Sequence, residues 1–307
     1  MVIAGASGLI GRRLVAAAKE RWRITVLTRR VDGSEPEGTT PLAWTPTAAK
    51  DGDVAHLEGL GRVLSGADVL VNLAGASIAD GRFGPEHRKA IVDSRLDATT
   101  TLVQAAARAE RAPRTWFQAS GASVYGDRGE EELDDRSEPD TSFFLGQLGV
   151  AWEQAATPAA ERSRLIVGRI GVVFAPEAEA WRRLVMPIRL GAGGPLGEGT
   201  QWWPWIHAAD LIDAMLFLID HDEARGTYAL PAPEPARQID ITRAAARALR
   251  RPAIVPVPAF ALRLLFGGMP DMVLFPSTKV RPARLLEHGF AFRYPTIEAA
   301  VEGLLEA

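Results

Sequence analysis

The chain contains no cysteine, and that single absence removes disulfide scaffolds, thiolate metal sites and cysteine nucleophiles together. Lysine is almost missing too: of 35 basic side chains only Lys19, Lys50, Lys89 and Lys279 are lysines. The accompanying arginine and alanine bias is of the kind genomic base composition produces, and no function is read from it. Neither charge sign is in useful excess, because 38 acidic side chains bring the net charge to -3. Such a surface has no electrostatic footprint for nucleic acid or for an anionic membrane. A small-molecule substrate is the expected partner, with no nucleic acid and no membrane. No uninterrupted apolar run reaches the ~18 residues that a membrane span needs. The opening MVIAGASGLIGRR has no basic residue ahead of its apolar part, so it is not read as a signal peptide, and a cytoplasmic location is expected. The histidines, at 56, 87, 207, 221 and 288, show no short metal-ligand spacing, so the metal expectation is none.

What is present is a core-forming composition, 47% apolar over 307 residues, arranged in a strand and helix alternation. Short apolar runs at 1–4, 24–27, 69–73, 115–119 and 165–173 read as buried strands. Helical spacing occupies 9–19, 86–109 and 151–160 between them. Continuous apolar strands separated by helices call for a parallel sheet covered on both faces. The expected fold class is therefore α/β, a doubly wound parallel sheet of the Rossmann kind with a smaller C-terminal α+β substrate domain. Division is placed at 1–174 and 175–307, because glycine from 191 to 199 and proline from 231 to 295 degrade the rhythm. Later helices are expected at 210–218, 240–249 and 260–266. The polar stretch 127–140 reads as a surface loop. The apolar stretch 253–275, broken by prolines, reads as buried helices and turns.

Gly5, Gly8 and Gly11 stand three residues apart between the first strand and the first helix. Such glycines permit the turn, let the backbone approach a pyrophosphate, and let helix and strand pack closely. Gly5, Ser7, Gly8, Leu9, Ile10 and Gly11 are thus the expected phosphate cradle, since the helix start presents unpaired N–H groups. The second strand ends in Arg29-Arg30, where an NAD-selective site usually carries an acid. Two guanidiniums there suit a 2'-phosphate, so NADP is the expected cofactor.

Several strings then converge. Gly5 to Gly11, Asn72-Leu73-Ala74-Gly75, Val124-Tyr125-Gly126-Asp127 and Trp205-Ile206-His207 before Asp210 resemble the extended short-chain dehydrogenase/reductases. Ser94-Arg95, Phe144-Leu145, Trp152-Glu153, Arg169-Ile170-Gly171, Gly193-Gly194-Pro195, Gly289-Phe290 and Tyr294-Pro295 resemble, more narrowly, an atypical subgroup. It is the nucleoside-diphosphate-sugar epimerase-like branch of the NAD(P)-dependent epimerase/dehydratase family. The resemblance implies that Leu73, Ala74, Gly75 and Arg95 approach the adenosine side of the cofactor, and that Ser120 and Gly121 lie near its nicotinamide. Trp44 reads as a core residue or as a flank for the adenine. Two subunits pairing through the helices at 86–109 and 151–160, as a homodimer, is expected by the same analogy.

The departure from the family is as informative. Its active members use a Tyr-x-x-x-Lys pair for proton transfer. Here Tyr125, Tyr228 and Tyr294 are followed four residues later by Gly129, Ala232 and Glu298. Counting back from Glu153 places Leu145 and Gly149 at the positions of the family's pair, and Gly121, four residues before Tyr125, occupies the usual serine or threonine position. Ser120 and Tyr125 are the candidate proton-transfer residues, with Ser123 beside them. Arg189, Trp202, Trp205 and His207 are the candidate substrate contacts. His207 is alternatively a structural histidine and Asp210 the cap of the helix that follows. The leading reading is an NADP(H)-dependent oxidoreductase on a small carbonyl or alcohol. Its rivals are a non-catalytic NADP(H)-dependent binding or regulatory protein and a nucleotide-sugar epimerase.

Overall fold

The computed structural model describes residues 1–79 and 83–306. Seven strands form one sheet: β1 Val2–Ala4, β2 Ile24–Thr28, β3 Thr39–Ala43, β4 Val69–Asn72, β5 Thr115–Gly121, β6 Arg164–Ile170 and β7 Gly226–Ala229. They lie in the order 3-2-1-4-5-6-7, and every neighbouring pair is parallel. The order reverses between β1 and β4, which opens a crevice beyond the carboxyl ends of those strands.

Both faces of the sheet are covered. On one face Leu14 and Val15 of helix Leu9–Ala18 share a core with Leu211, Met215 and Leu218 of helix Ala208–Asp220. On the other, Leu57, Leu60 and Leu64 of helix Val54–Leu64 meet Ala98, Leu102 and Ala105 of helix Pro85–Arg108. Each fully buried leucine in these layers contributes ~1.5–3 kcal/mol relative to exposure. The doubly wound α/β expectation is met.

Four local expectations are corrected. The run 165–173 is two strands, because the chain leaves the main sheet at Gly171, where a Cβ would stand 2.0 Å from the Pro204 carbonyl oxygen. Val172–Phe174 instead pairs in parallel with Trp205–His207. The helix expected at 151–160 begins earlier, as Phe144–Ala156, followed by a 3-10 turn at Thr157–Glu161. Its glycines disguised the start. β3 escapes a periodicity reading because it is a half-exposed edge strand containing Pro41, a residue tolerated there. Finally, 253–275 is not a buried segment: Ile254, Phe260, Leu264 and Leu265 are all exposed.

A second core, with Phe174, Trp181, Val185, Trp205, Ile241 and Val301, holds the later elements together. The division at residue 174 is crossed by the chain, since helix Ala208–Asp220 and β7 return to the main sheet after it. The stretch 127–140 is a surface loop in part only. Its Glu132–Leu133 pairs with Lys279–Val280, and Leu133 and Asp135 are buried. Among the described residues no helix is long and apolar enough to cross a membrane.

Candidate active site

The glycine turn is built by contacts that only glycine allows. Gly5 has φ +86°, and a Cβ on it would lie 2.6 Å from the Leu73 carbonyl. A Cβ on Gly11 would lie 2.4 Å from the Gly5 carbonyl oxygen. The ends of β1 and β4 and the first helix therefore meet backbone to backbone. Gly8 caps that helix without a side-chain hydrogen bond, which leaves its first amides available to an anion. Gly5, Gly8, Leu9, Ile10 and Gly11 line one end of a cavity of about 530 Å³. Ser7 is exposed on the same turn, as are Arg29 and Arg30 just after β2. Arg30 faces Asp32 at 3.4 Å, an exposed pair of little energetic weight.

The exit of β4 is held from beneath. Buried Asn72 donates through Nδ2 to Thr99 Oγ1 (2.9 Å) and Gln118 Oε1 (3.0 Å), and its Oδ1 accepts from the Ala74 amide. Leu73 lines the cavity, and Ala74 and Gly75 follow it on the same loop. Arg95 lies across Gly75, where a Cβ would stand 3.0 Å from its Cζ. It donates to the carbonyls of Ala76 and Ile91 and stacks over Trp152, 4.9 Å from the ring centroid. Burial pushes its guanidinium down to about 10. A buried cation bonded, among the described residues, to carbonyls alone, still charged at neutral pH and lining the cavity, favours an anion there. Trp44 is a core residue, 5% exposed among Leu57, Leu60 and Ala48.

At the other end of the cavity stands a buried polar chain. Ser120 Oγ donates to Glu153 Oε1 at 2.6 Å, and Arg169 grips both carboxylate oxygens of Glu153, through Nε and Nη2, at 2.9 Å each. Burial lowers the Arg169 pKa, but the bonds and charge of Glu153 outweigh it and hold the guanidinium above its ordinary value. Arg169 also lies over the Tyr125 ring, 4.9 Å from its centroid. Glu153 and Arg169 had appeared in the sequence only as family strings. A lone acid in an apolar helix and an arginine in the interior of the strand RLIVGRI were the signal that they pair.

The structure corrects the role expected of Tyr125. It sits on the 3-10 turn Ala122–Tyr125, whose successive side chains point about 120° apart. Ser123 faces the cavity, whereas Tyr125 is fully buried with Leu133, Ala229 and Val280 and lines neither cavity described here. Its hydroxyl has no hydrogen-bond partner among the described residues, and burial pushes the phenol up to about 12. It stays protonated at neutral pH, and it is its place in the core, away from both cavities, that keeps this proton from a ligand there.

The positions of the absent tyrosine and lysine are on the cavity wall, occupied by Leu145 and Gly149. A Cβ on Gly149 would stand 2.8 Å from Val124 Cγ2, and one on Gly146 would overlap the Asp140 carbonyl oxygen at 1.7 Å. The helix lies so close on the turn below it that a lysine at 149 has no room. Ser123 Oγ stands 3.2 Å from where a Cβ of Gly121 would be, beside the place of the family's hydroxyl.

The expected substrate contacts fare less well. Trp202 and Trp203 point to opposite faces of their two-residue strand. Trp202 faces outward, donating to Glu130 and covered by Arg237, while Trp203 lines a second cavity. Trp205 is 1% exposed in the second core, stacked on Phe174. Arg189 is exposed at the end of helix Glu179–Arg189 and lines neither cavity.

His207 is also structural. Its Nδ1 accepts from the Ala209 amide at 3.1 Å, capping helix Ala208–Asp220, and its ring packs 3.9 Å from that of Tyr294. Asp210 is not the cap; it accepts from the amides of Arg293 and Tyr294 and ties down the C-terminal segment. Burial, aided by Arg13 and Arg293, pushes His207 down to about 4. The unfolded chain then binds the extra proton between about pH 6.5 and 4, so stability falls as the pH drops through that window. From pH 7 to 5 His207 should account for a loss of about 2 kcal/mol. Asp210 and Asp135, raised by burial, act with the opposite sign and cancel in comparison with His207→Asn, which keeps a capping oxygen. Urea unfolding of both proteins at the two pH values checks this; equal losses would refute it.

The chain belongs to the NAD dependent epimerase/dehydratase family, whose sequence signature matches residues 1–230. A second signature, a domain of unknown function (DUF1731), matches residues 257–304. Epimerase family proteins of Staphylococcus haemolyticus and Staphylococcus aureus are 32% and 33% identical to it. They align over 100% and 99% of this chain and 99% and 98% of theirs. Among solved structures, the human epimerase family protein SDR39U1 (isoform 2) with NADPH superposes with a TM-score of 0.88 at 28% identity. That match covers 99% of this chain and 98% of the human one. A nucleoside-diphosphate sugar epimerase from Corynebacterium glutamicum gives 0.76 at 29% identity, over 99% of this chain and 57% of that one. The resemblance to atypical extended short-chain dehydrogenase/reductases holds, and a nicotinamide dinucleotide is the cofactor class that the family and the solved relative support.

Proposed function

We propose that this protein is an NADP(H)-dependent oxidoreductase acting on a small carbonyl or alcohol. The observation that carries the reading is the single cavity joining the glycine turn to the Ser120–Glu153–Arg169 chain. When bound, the nicotinamide supplies or takes up a hydride. Gly5, Gly8 and Gly11 would hold the pyrophosphate, Leu73 to Gly75 and Arg95 the adenosine side, and Arg29 and Arg30 the 2'-phosphate. The NADPH of the human relative supports that choice.

The chain's own chemistry is proton transfer. Because the Ser120 hydrogen is committed to Glu153, its oxygen keeps lone pairs for the cavity. A substrate alcohol can give its proton to Ser120 Oγ while the serine proton passes to Glu153 Oε1; reduction runs the same path backwards. Leu145 can neither donate nor accept, which weighs against sugar epimerisation by the family's tyrosine route.

Titration with both coenzymes is expected to give at least tenfold tighter NADPH binding. Coenzyme turnover over a carbonyl panel should fall 10²- to 10³-fold in kcat in Ser120→Ala, in the range of a lost acid–base group, with NADPH affinity within about twofold. Equal or tighter NADH binding refutes the cofactor assignment. NADPH binding without turnover favours a cofactor-dependent binding protein.

A further inference from the structure

Beside the cofactor cavity lies a second one of about 220 Å³. The two share a wall, for Ile78, Gly121, Ser123, Leu145, Ile170 and Gly171 line both. A molecule in the smaller cavity therefore abuts whatever fills the larger one, at Gly121 and Ser123. Apart from Thr278 its remaining lining is apolar or aromatic, with Phe143, Val172, Trp203, Met269, Met272 and Val273. Among the described residues that line it, none carries a charge.

Its polar groups are almost all spoken for. The Trp203 indole donates to the Leu274 carbonyl at 2.9 Å, and the Thr278 hydroxyl donates to the Gly126 carbonyl at 2.7 Å. Ser123 differs: its hydroxyl bonds no described residue and faces both cavities. One uncommitted side-chain donor in an otherwise apolar chamber serves to orient one polar atom of a ligand. A diphosphate brought here would lose its hydration and meet no cation among the described residues of this wall to offset that cost. The volume agrees, since it is below the ~300–1,000 Å³ usual for drug-sized ligands and far from that of a nucleotide sugar.

We infer that the second cavity is the substrate chamber, and that it takes a compact, uncharged, apolar ketone, aldehyde or alcohol whose oxygen is bound by the Ser123 hydroxyl. This rests on the oxidoreductase reading and narrows it by substrate class. Ser123 is a positioning and polarising donor at the junction of the cavities, whereas Ser120, its hydroxyl hydrogen bonded to Glu153, is the acceptor beside it.

Binding rather than turnover tests this. Acetophenone labelled with ¹³C at the carbonyl, and cyclohexanone, are titrated into the full chain with and without NADPH, alongside benzoylformate and UDP-glucose as charged competitors. Saturable binding of at least one neutral ketone is expected, at least tenfold tighter than that of either charged compound. The bound carbonyl resonance should move downfield, and Ser123→Ala should abolish that movement and weaken binding about fivefold, the worth of one hydrogen bond. Met272→Trp fills the chamber but does not touch the cofactor cavity, so it should lower ketone affinity at least tenfold and leave NADPH affinity within twofold. NADPH binding also reports that this variant is folded; if it is not, Ser123→Ala and the resonance decide alone. The inference is overturned if neither ketone binds, if a charged compound binds as well as a ketone, if the resonance shift survives Ser123→Ala, or if folded Met272→Trp binds ketone normally. Failure of NADPH to bind instead would strike the oxidoreductase reading and leave the ketone titration readable.

Discussion

Replacing Arg169 by methionine is expected to lower the free energy of unfolding by about 3–5 kcal/mol, the cost of stranding one member of a buried ion pair. Both partners are inside: side-chain exposure is 7% for Arg169 and 15% for Glu153. The bidentate bond is therefore not screened as a surface bridge would be. Without the guanidinium the Glu153 carboxylate keeps only the Ser120 hydroxyl, and the Tyr125 ring loses the cation over its face. The double variant Glu153→Gln with Arg169→Met removes the stranded charge and should recover at least half the loss. Chemical denaturation of the single and double variants measures this directly. A single variant within about 1 kcal/mol of the parent would show that the pair is not held as described.

The second large effect separates two glycines of one turn. Gly11→Ala must push the Gly5 carbonyl aside, since its Cβ would lie 2.4 Å from that oxygen and 2.6 Å from the Ala6 Cα. Backbone can move only by prising the first helix from the sheet. A loss of about 3 kcal/mol, the upper part of the range for overpacking, is expected, with at least a 100-fold loss in NADPH affinity. Gly8→Ala meets only the Gly5 oxygen at an ordinary 3.5 Å. It should fold with nearly full stability yet weaken NADPH tenfold or more, because on the proposed cofactor placement its methyl would stand where the pyrophosphate approaches. Thermal unfolding and coenzyme titration of both variants decide the matter. Equal behaviour of the two would mean the turn is structural and not a phosphate cradle.

These two experiments probe parts that were unequally legible. The turn could be read because its message is local: three glycines between a strand and a helix have few other uses. The alternation of apolar runs likewise implied the parallel sheet, as each run had to be buried on both faces. Boundaries were less readable where glycine served packing rather than punctuation. Gly146 and Gly149 lie inside a helix because Asp140 and Val124 press against it, and Gly171 ends a strand because Pro204 does.

The polar site was legible only in part. Ser120 was singled out by position. The groups it is bonded to, Glu153 directly and Arg169 through it, lie 33 and 49 residues further along the chain and meet only when β5, β6 and the Phe144–Ala156 helix assemble. Tyr125, two residues from Ser123 and equally attractive as a chemical group, was misread because a 3-10 turn sends such neighbours in different directions. The tryptophans of 202–205 were misread similarly: strand alternation sends Trp203 to the cavity and Trp202 to the outside, while Trp205 goes to the core.

Sequence by itself determined the fold class, the glycine turn and the absence of a tyrosine and lysine four residues apart, because each is a matter of residue type at short spacing. Tertiary structure alone decided which hydroxyls face the cavity, which charge holds which, and that the space beside Ser123 is apolar. Those properties depend on the direction in which a side chain leaves its element and on what distant segments bring against it. No local pattern of residue types encodes either.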